Sequence, residues 1–103
     1  MKGMQNLMKQ AQQMQQKMAT LQKELESREL ETSSGGGMIK IKITGKQQIV
    51  SISINKECVD PNDVAGLEEL VKTAVNQSIK ESQDMVSAAM SKVTGGINIP
   101  GMF

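Results

Sequence analysis

The chain has 103 residues, with 12 Lys and Arg against 11 Asp and Glu, no His, one Cys and one aromatic residue, Phe103. Such a chain forms one small domain, and a core without aromatic residues leaves much apolar surface unburied, which favours self-association. The absence of His and the single Cys exclude Ser-His-Asp and Cys-His catalysis and zinc sites that draw on several Cys and His. We therefore expect no enzymatic activity, no metal or other cofactor, and no small-molecule substrate.

The cellular compartment is predicted from the cysteine and from the apolar runs. The single Cys58 is typical of a reducing cytosol. No signal peptide is visible because residues 1–16 are polar and rich in Gln. No apolar run approaches the roughly 20 residues that a membrane span needs. We expect a cytoplasmic protein that has no membrane partner.

The first quarter of the chain predicts a long helix. Apolar residues recur at alternating intervals of three and four, at Met4, Leu7, Ala11, Met14, Met18, Leu21 and Leu25. This pattern predicts a helix from about Met4 to Glu26, roughly 35 Å long at ~1.5 Å per residue. Because the apolar seam is narrow and rich in Met, we expect residues 1–27 to form an arm that projects or packs along a partner helix. Lysines come early and glutamates late, against the helix dipole, so the fold or a partner must stabilise the arm.

Charge is arranged in blocks that the net value of +1 conceals. Residues 1–23 carry no acid and four lysines, at Lys2, Lys9, Lys17 and Lys23. Two interpretations stay open, because these lysines either bind an external anion or keep a coiled-coil arm soluble. No aromatic residue lies on a predicted strand, which argues against base stacking. If the anion is a nucleic acid, it is bound through its phosphates and its duplex shape.

Residues 28–54 predict a three-stranded antiparallel sheet. Met38–Thr44 alternates strictly and puts Ile39, Ile41 and Ile43 on one face. Gly45-Lys46 is predicted to form the tight turn into the third strand, because Gly tolerates a positive φ. The third strand is expected to place the apolar residues Val50, Ile52 and Ile54 on one face. Its other face is expected to carry Ile49, Ser51 and Ser53.

The first strand and the turn after it complete this meander. Arg28–Ser34 is predicted to be a short strand with Leu30 and Thr32 on one face. Gly35–Gly37 leads into the next strand, whereas a phosphate-binding P-loop needs Gly-Lys-Ser/Thr at the start of a helix. We expect a strand-to-strand turn and no nucleotide site.

Residues 55–93 predict a mostly helical segment. Lys56–Val59 is expected to form one helical turn, and Asp60-Pro61 is a helix start signal. From about Asp63 to Lys92 the apolar spacing is helical, and this face is expected to cover the isoleucines of the sheet with residues such as Leu67, Leu70, Val71 and Ala74. Thr94-Gly95-Gly96 ends the helix, and residues 94–103 form an apolar Gly/Pro tail.

Several stretches, in this order and spacing, resemble the YbaB/EbfC family of bacterial nucleoid-associated DNA-binding proteins over nearly the whole chain. They are Gly3-Met4 with Leu7–Ala11, Met14–Met18, Gly35–Met38, Leu67–Val71 with Ala74 and Asn76, Thr94–Gly96 and Pro100-Gly101. The chain departs from the usual Asn-Ala pair of the family, because it reads Asn76-Gln77-Ser78.

The resemblance implies a single α+β domain, residues 1–103, of α-β-β-β-α plan that forms an intertwined homodimer with projecting helical arms. It also implies binding to double-stranded DNA, a role in nucleoid organisation and a further role in gene regulation. On this basis the candidate DNA-binding residues are Lys2, Lys9, Lys17, Lys23, Arg28, Lys40 and Lys42, with Lys46 beside them. The candidate core and dimer residues are Leu30, Ile39, Ile41, Ile43, Val50, Ile52, Ile54, Leu67, Leu70 and Val71.

A second hypothesis of a different class is a protein-interaction module. Methionine side chains pack adaptably, so a dimer with Met-rich arms could clamp a partner protein. Salt separates the two hypotheses, because phosphate binding weakens steeply as salt rises and an apolar clamp binds duplex DNA poorly even at low salt.

Overall fold

The computed structural model describes residues 2–94, and the side chains of residues 3–93. The elements follow one another as helix α1 (Lys2–Ser27), strands β1 (Glu29–Ser34), β2 (Ile39–Thr44) and β3 (Ile49–Ile54), a 3-10 turn (Lys56–Cys58) and helix α2 (Val64–Thr94). This is the predicted α-β-β-β-α order. The predicted tail lies outside the described residues, except for Thr94.

The strands form one antiparallel sheet in the order β1-β2-β3. In the central strand β2 the alternation of the sequence becomes an alternation of burial, and Ile39, Ile41 and Ile43 are fully buried. Helix α2 lies across this face and contacts β1 and β2, with Leu30, Leu70 and Val71 packed around the isoleucines. The prediction that the second helix covers the isoleucine face is confirmed.

A register shift in β3 makes one prediction wrong. Lys42 lies opposite Ser51, but its neighbour Ile43 lies opposite Ile49, so Val50 is an extra residue without a partner. Because a bulge inserts one extra residue, the side chains on one side of it point to the opposite face from the one that strict alternation predicts. Ile49 therefore shares the face of Ile43 and the other buried isoleucines, whereas strict alternation had placed it on the opposite face.

The turn between β2 and β3 also differs from the prediction. The residue with a positive φ is Gln47, at 64°, and not Gly45. Gly45 is required for a different reason, because a Cβ there would collide with the backbone carbonyl of Leu25, the last buried residue of α1. The turn after β1 matches its prediction, since Gly35, Gly36 and Gly37 have φ of 63°, 67° and 91°.

Helix α2 begins three residues later than the Asp60-Pro61 signal indicates. The Asp63 carboxylate accepts a hydrogen bond from the backbone N–H of Gly66 at 3.1 Å, which makes Asp63 the capping residue. Asp60 instead accepts from the N–H of Asn62 within the preceding loop. Gly66 suits this cap, because a Cβ there would press against the Asp63 carboxylate. The preceding turn of Lys56–Cys58 is close to its prediction.

Small residues let α2 lie close to the sheet. Ala74, Ser78 and Ser82 recur every four residues and are buried. The Ser82 hydroxyl donates to the backbone carbonyl of Thr44 at 2.7 Å, at the end of β2. The long side chains on either side of this row then reach the isoleucines, and the helix is fixed along the sheet.

Helix α1 has a different position. It contacts α2 and, to a smaller extent, β2, and Leu25, near its carboxyl end, is the one buried side chain among residues 3–27. Residues toward its amino end become progressively exposed, and the molecule measures 75 × 24 × 16 Å. The predicted projecting arm is therefore present in the single chain.

Candidate nucleic-acid interface

The lysines of α1 lie on the exposed part of the arm. Lys9, Lys17 and Lys23 are all exposed, whereas for Lys2 only the backbone is described. Within residues 2–94 the one ion pair joins Lys72 and Glu69, at 3.0 Å on helix α2. The ammonium groups of the described arm lysines are therefore available to an external anion.

The helical period sets which way these lysines face. At 100° per residue, Lys9 and Lys23 lie opposite the seam that contains Leu7, Met14 and Leu25, and Lys17 lies at its side. Lys9 and Lys23 are 14 positions apart, which is about 21 Å along the axis. A ligand can therefore contact both lysines without disturbing the apolar side of the helix.

Glutamines on the same outward side were missed when only charges were counted. Gln5, Gln12 and Gln16 are exposed and share the face of Lys9 and Lys23. Amide groups donate hydrogen bonds to phosphate and sugar oxygens. We call these five residues the arm row. The heptad spacing that predicts the apolar seam also predicts this row, because it determines which residues lie on the opposite side of the helix.

Arg28 lies at the base of the arm, between α1 and β1. Its backbone N–H donates to the carbonyl of Leu25 at 3.2 Å, and its carbonyl accepts from the N–H of Gly45 at 3.1 Å. Its side chain is exposed, as is that of Lys46 in the neighbouring turn. The fold thus brings two basic residues from separate segments to the point where the arm leaves the sheet.

Lys40 and Lys42 belong to a separate surface, the outer face of the sheet. Both are exposed, and their neighbours across β3 are Ser53 and Ser51. A shallow depression is lined by these four residues and Glu31, which lies opposite Lys42 on β1. A glutamate beside a lysine lowers the local positive potential. This face is accessible in the single chain but less positive than the arm.

The predicted core residues fall into two groups. Ile39, Ile41 and Ile43 are buried, and Leu30 of β1 and Leu67, Leu70 and Val71 of α2 are half-buried. By contrast, Val50, Ile52 and Ile54 are 51%, 44% and 40% exposed, because α2 contacts β1 and β2 and leaves β3 uncovered. These three residues are not part of the core of one chain.

Other kinds of site find no support in the described part of the chain. No cluster of three or more His, Cys, Asp or Glu side chains in residues 2–94 is placed to hold a metal ion. Over the same residues, neither helix has a stretch apolar enough to cross a membrane. The Cys58 thiol is half-buried and donates to the carbonyl of Asn55 at 3.0 Å. The exposed polar face of the arm is therefore the strongest candidate site.

Together these features define a small α+β protein with an exposed basic face along a helical arm. The model of the YbaB/EbfC DNA-binding family matches residues 1–97. A nucleoid-associated protein of Clostridium kluyveri is 53% identical over 101 residues, which cover 98% of this chain and 89% of that protein. One from Caldanaerobacter subterraneus is 49% identical, with 95% of this chain and 88% of that protein covered. This chain therefore belongs to the YbaB/EbfC DNA-binding family.

A solved structure supports the fold independently. The crystal structure of an uncharacterized protein from Helicobacter pylori matches with a TM-score of 0.69, covering 86% of this chain and 94% of that chain. The two chains are only 18% identical, so this likeness concerns the fold alone.

Proposed function

We propose that this protein binds double-stranded DNA as a homodimer, through phosphate contacts made by its arms. The observation that carries the proposal is the arm row, which combines exposed lysines and glutamines on the side of α1 opposite its apolar seam. Donors repeated along some 20 Å suit the repeated phosphates of a duplex. The role that follows is organisation of the nucleoid in the cytoplasm, with an accompanying effect on gene expression.

Sequence preference should be weak. Contacts to phosphates position a protein on DNA but do not read the sequence directly. Arg28 is the only arginine of the chain, so the planar side chain best suited to bidentate contacts with guanine occurs once per subunit. Binding should therefore depend on charge and duplex shape.

The second part of the proposal is the homodimer, and β3 supports it. Among residues 2–94 this strand pairs only with β2, so within that range the backbone groups of its other edge are unpaired. Apolar side chains that are 40–54% exposed lie in this strand and in the segment that follows it, and we call them the β3 patch: Ile49, Val50, Ile52, Ile54, Val59 and Val64. No charged residue lies within β3 to prevent pairing. A second copy is the natural occupant, because an antiparallel edge is complementary to itself.

The DNA-binding part is tested by removing charge from the arm. The variant Lys9→Gln/Lys17→Gln/Lys23→Gln loses three charges per chain, and the matched control Lys72→Gln/Lys80→Gln/Lys92→Gln loses three from α2. We expect the arm variant to bind a duplex about tenfold or more weakly at fixed low salt, since each lost phosphate contact lowers affinity. Equal affinities for the wild type and the arm variant would show that the arm is not the DNA surface.

The dimer is tested by placing a charge in the β3 patch. Ile52→Lys should lower the mass observed in analytical ultracentrifugation from two chains to one, whereas Thr73→Lys on the exposed side of α2 should not. An unchanged mass for Ile52→Lys would contradict an interface at β3. A wild type that is monomeric at working concentrations would contradict the dimer itself.

The alternative, a clamp for a partner protein, also rests on an observation. Met4, Leu7 and Met8 are 63–66% exposed near the end of the arm. If this apolar surface provides the main affinity, then duplex binding stays weak at low salt and the lysine substitutions have little effect. The comparison of duplex affinities at low salt therefore distinguishes the two functions.

A further inference from the structure

The outer edge of β1 is formed by the backbone of three residues. Within residues 2–94, β1 and β3 are the edge strands of the sheet, since each pairs only with β2. The carbonyl of Arg28 accepts from the N–H of Gly45 at 3.1 Å, on the side of β2. Because backbone groups alternate in direction along an antiparallel strand, those of Glu29, Glu31 and Ser33 point away from β2. A further strand that joined β1 would therefore bond to these three residues.

A side chain of α2 already bonds to this edge. The side-chain amide of Gln77 donates to the backbone carbonyl of Ser33 at 3.1 Å. The same amide nitrogen donates to a carboxylate oxygen of Glu81 at 3.4 Å, one helical turn further along α2. Glu81 thus helps to orient the amide toward the edge. Gln77 takes the place that the N–H of an added strand would occupy at Ser33.

The side chains of β1 also oppose the addition of a second copy of this strand. Glu29 and Glu31 are both exposed. In an antiparallel pair of β1 strands centred on Glu31, the two copies of Glu31 lie directly opposite each other, and like charges so placed destabilise the pair. Moving the centre to Thr32 places Glu31 opposite Ser33 of the second copy. The Ser33 carbonyl would then have to bond to that strand, but Gln77 already occupies it.

The edge of β3 has a different chemistry. The N–H of Asn55 donates to the carbonyl of Met38 at 2.8 Å, on the side of β2. By the same alternation, the backbone groups of Ile52 and Ile54 point to the outer edge of β3. Both side chains are apolar and exposed, and β3 contains no charged residue. The β3 edge therefore suits strand pairing, whereas the β1 edge opposes it.

We propose that Gln77, Glu29 and Glu31 close the β1 edge, so that strand pairing between copies ends at the dimer formed through β3. The inference rests on the proposed homodimer only for the number of chains at which assembly ends. Two open edges would let copies add at both sides of each sheet in an open series. On DNA, where copies are concentrated along the duplex, a closed β1 edge keeps neighbouring dimers from joining into a continuous sheet.

The proposal is tested by opening the β1 edge and measuring the mass of the assembly. The variant Glu29→Thr/Glu31→Thr/Gln77→Ala removes two charges and the amide, and threonine is well suited to a strand. In analytical ultracentrifugation of the full chain without DNA, the wild type should stay at two chains as concentration rises. The opened variant should grow to four chains or more.

Two further variants keep this result interpretable. The control Glu68→Ala/Asp84→Ala/Gln83→Ala removes the same groups from exposed positions on α2 and should keep the mass of the wild type. Gln77→Ala alone changes no strand residue and frees the Ser33 carbonyl, so it should exceed two chains at the highest concentrations even if the triple variant does not fold. An unchanged mass for both edge variants at every concentration would overturn the proposal.

A second comparison separates this proposal from the proposed dimer. With Ile52→Lys added to block β3, the opened variant should pair only through β1 and stop at two chains. If the wild type proved monomeric, the β3 dimer would be wrong, but opening the β1 edge should still double the mass.

Hydrogen exchange identifies the surface that pairs. The backbone N–H groups at positions 29, 31 and 33 should exchange at least tenfold more slowly in the assembled variant than in the wild type, because they become bonded to a second strand. Larger assemblies in which these N–H groups still exchange rapidly would show that another surface is responsible, and would overturn the proposal.

Discussion

Helices α1 and α2 have similar lengths, 26 and 31 residues, and both carry an apolar face, yet they have different structural roles. Along α2, the small buried residues Ala74, Ser78 and Ser82 let the helix lie close to the sheet over its first five turns or so. Along α1, only Leu25 is buried and the remaining apolar seam is half-buried or exposed. A wide apolar face builds the core, whereas a narrow one is left for contacts with other segments or molecules.

The same contrast exists within the sheet. Ile41 of β2 is fully buried beneath α2, and Ile52, its direct neighbour on β3, is 44% exposed. The two side chains have the same chemistry and the same face. Their environments differ because α2 does not extend over β3. Regions that complete the fold and regions available to partners are therefore adjacent in this molecule.

The largest expected effect comes from comparing these two isoleucines. Ile41→Ala should lower the free energy of unfolding by about 2–5 kcal/mol, because it leaves a cavity in the core. Ile52→Ala should cost less within one chain, but its cost should depend on protein concentration if a second copy covers β3. Urea denaturation at two protein concentrations checks both. Equal, concentration-independent losses would remove the distinction between core and patch.

The junction between the arm and the body is tested at Gly45. Gly45→Ala places a Cβ against the backbone carbonyl of Leu25, which has little freedom to move. We expect a loss of about 2–3 kcal/mol in unfolding free energy, as for other overpacked sites. The control Gly3→Ala lies in open space on the same arm and should cause no loss. A Gly45→Ala protein as stable as the wild type would contradict the close approach of α1 to the turn.

A smaller effect is expected from the hydroxyls that face the sheet. Ser82→Ala removes a donor to the Thr44 carbonyl and should cost about 1 kcal/mol. Ser78 is equally buried, but its hydroxyl donates to Val75 within its own helix at 2.8 Å. Ser78→Ala should therefore be nearly neutral, because alanine is the better helix former. Thermal unfolding of the two variants measures both losses of stability. A larger loss for Ser78→Ala than for Ser82→Ala would contradict this account.

The smallest effect concerns the helix dipole of the arm. The first turn of α1 contains no acidic residue and its last turn no basic one. Gln5→Glu supplies a negative charge near the amino end and should stabilise the arm by about 0.3–1 kcal/mol at low salt. Amide hydrogen exchange in residues 6–12 should slow by roughly two- to fivefold, since 1.4 kcal/mol corresponds to tenfold. Gln12→Glu, in the middle of the helix, should not have this effect.

Much of the fold follows from local patterns in the sequence. The heptad of α1, the alternation of Ile39, Ile41 and Ile43, and the helical spacing after Asp63 each predict the element that is observed. The order of these elements then limits the architecture to a sheet with one covering helix. The lysines of the arm were also found from sequence, because an acid-free stretch on a predicted helix is a local property.

The features that the sequence did not reveal depend on contacts between distant segments. The bulge at Val50 reflects the pairing of β3 with β2, and the need for Gly45 arises from Leu25, which is 20 positions earlier in the chain. The exposure of Ile52 depends on where α2 ends its contact with the sheet. Alternation predicts which residues share a face, but it does not predict which part of that face is covered.

The salt dependence of DNA binding tests the central claim most directly. The logarithm of the binding constant for a duplex is measured against the logarithm of salt concentration, for the wild type and for Lys9→Gln/Lys17→Gln/Lys23→Gln. The slope changes by about 0.9 for each phosphate contact, so six lysines lost from two arms should make it shallower by about five. The control Lys72→Gln/Lys80→Gln/Lys92→Gln should keep the slope of the wild type. Parallel lines for the wild type and the arm variant would contradict the claim that the arms bind the phosphates.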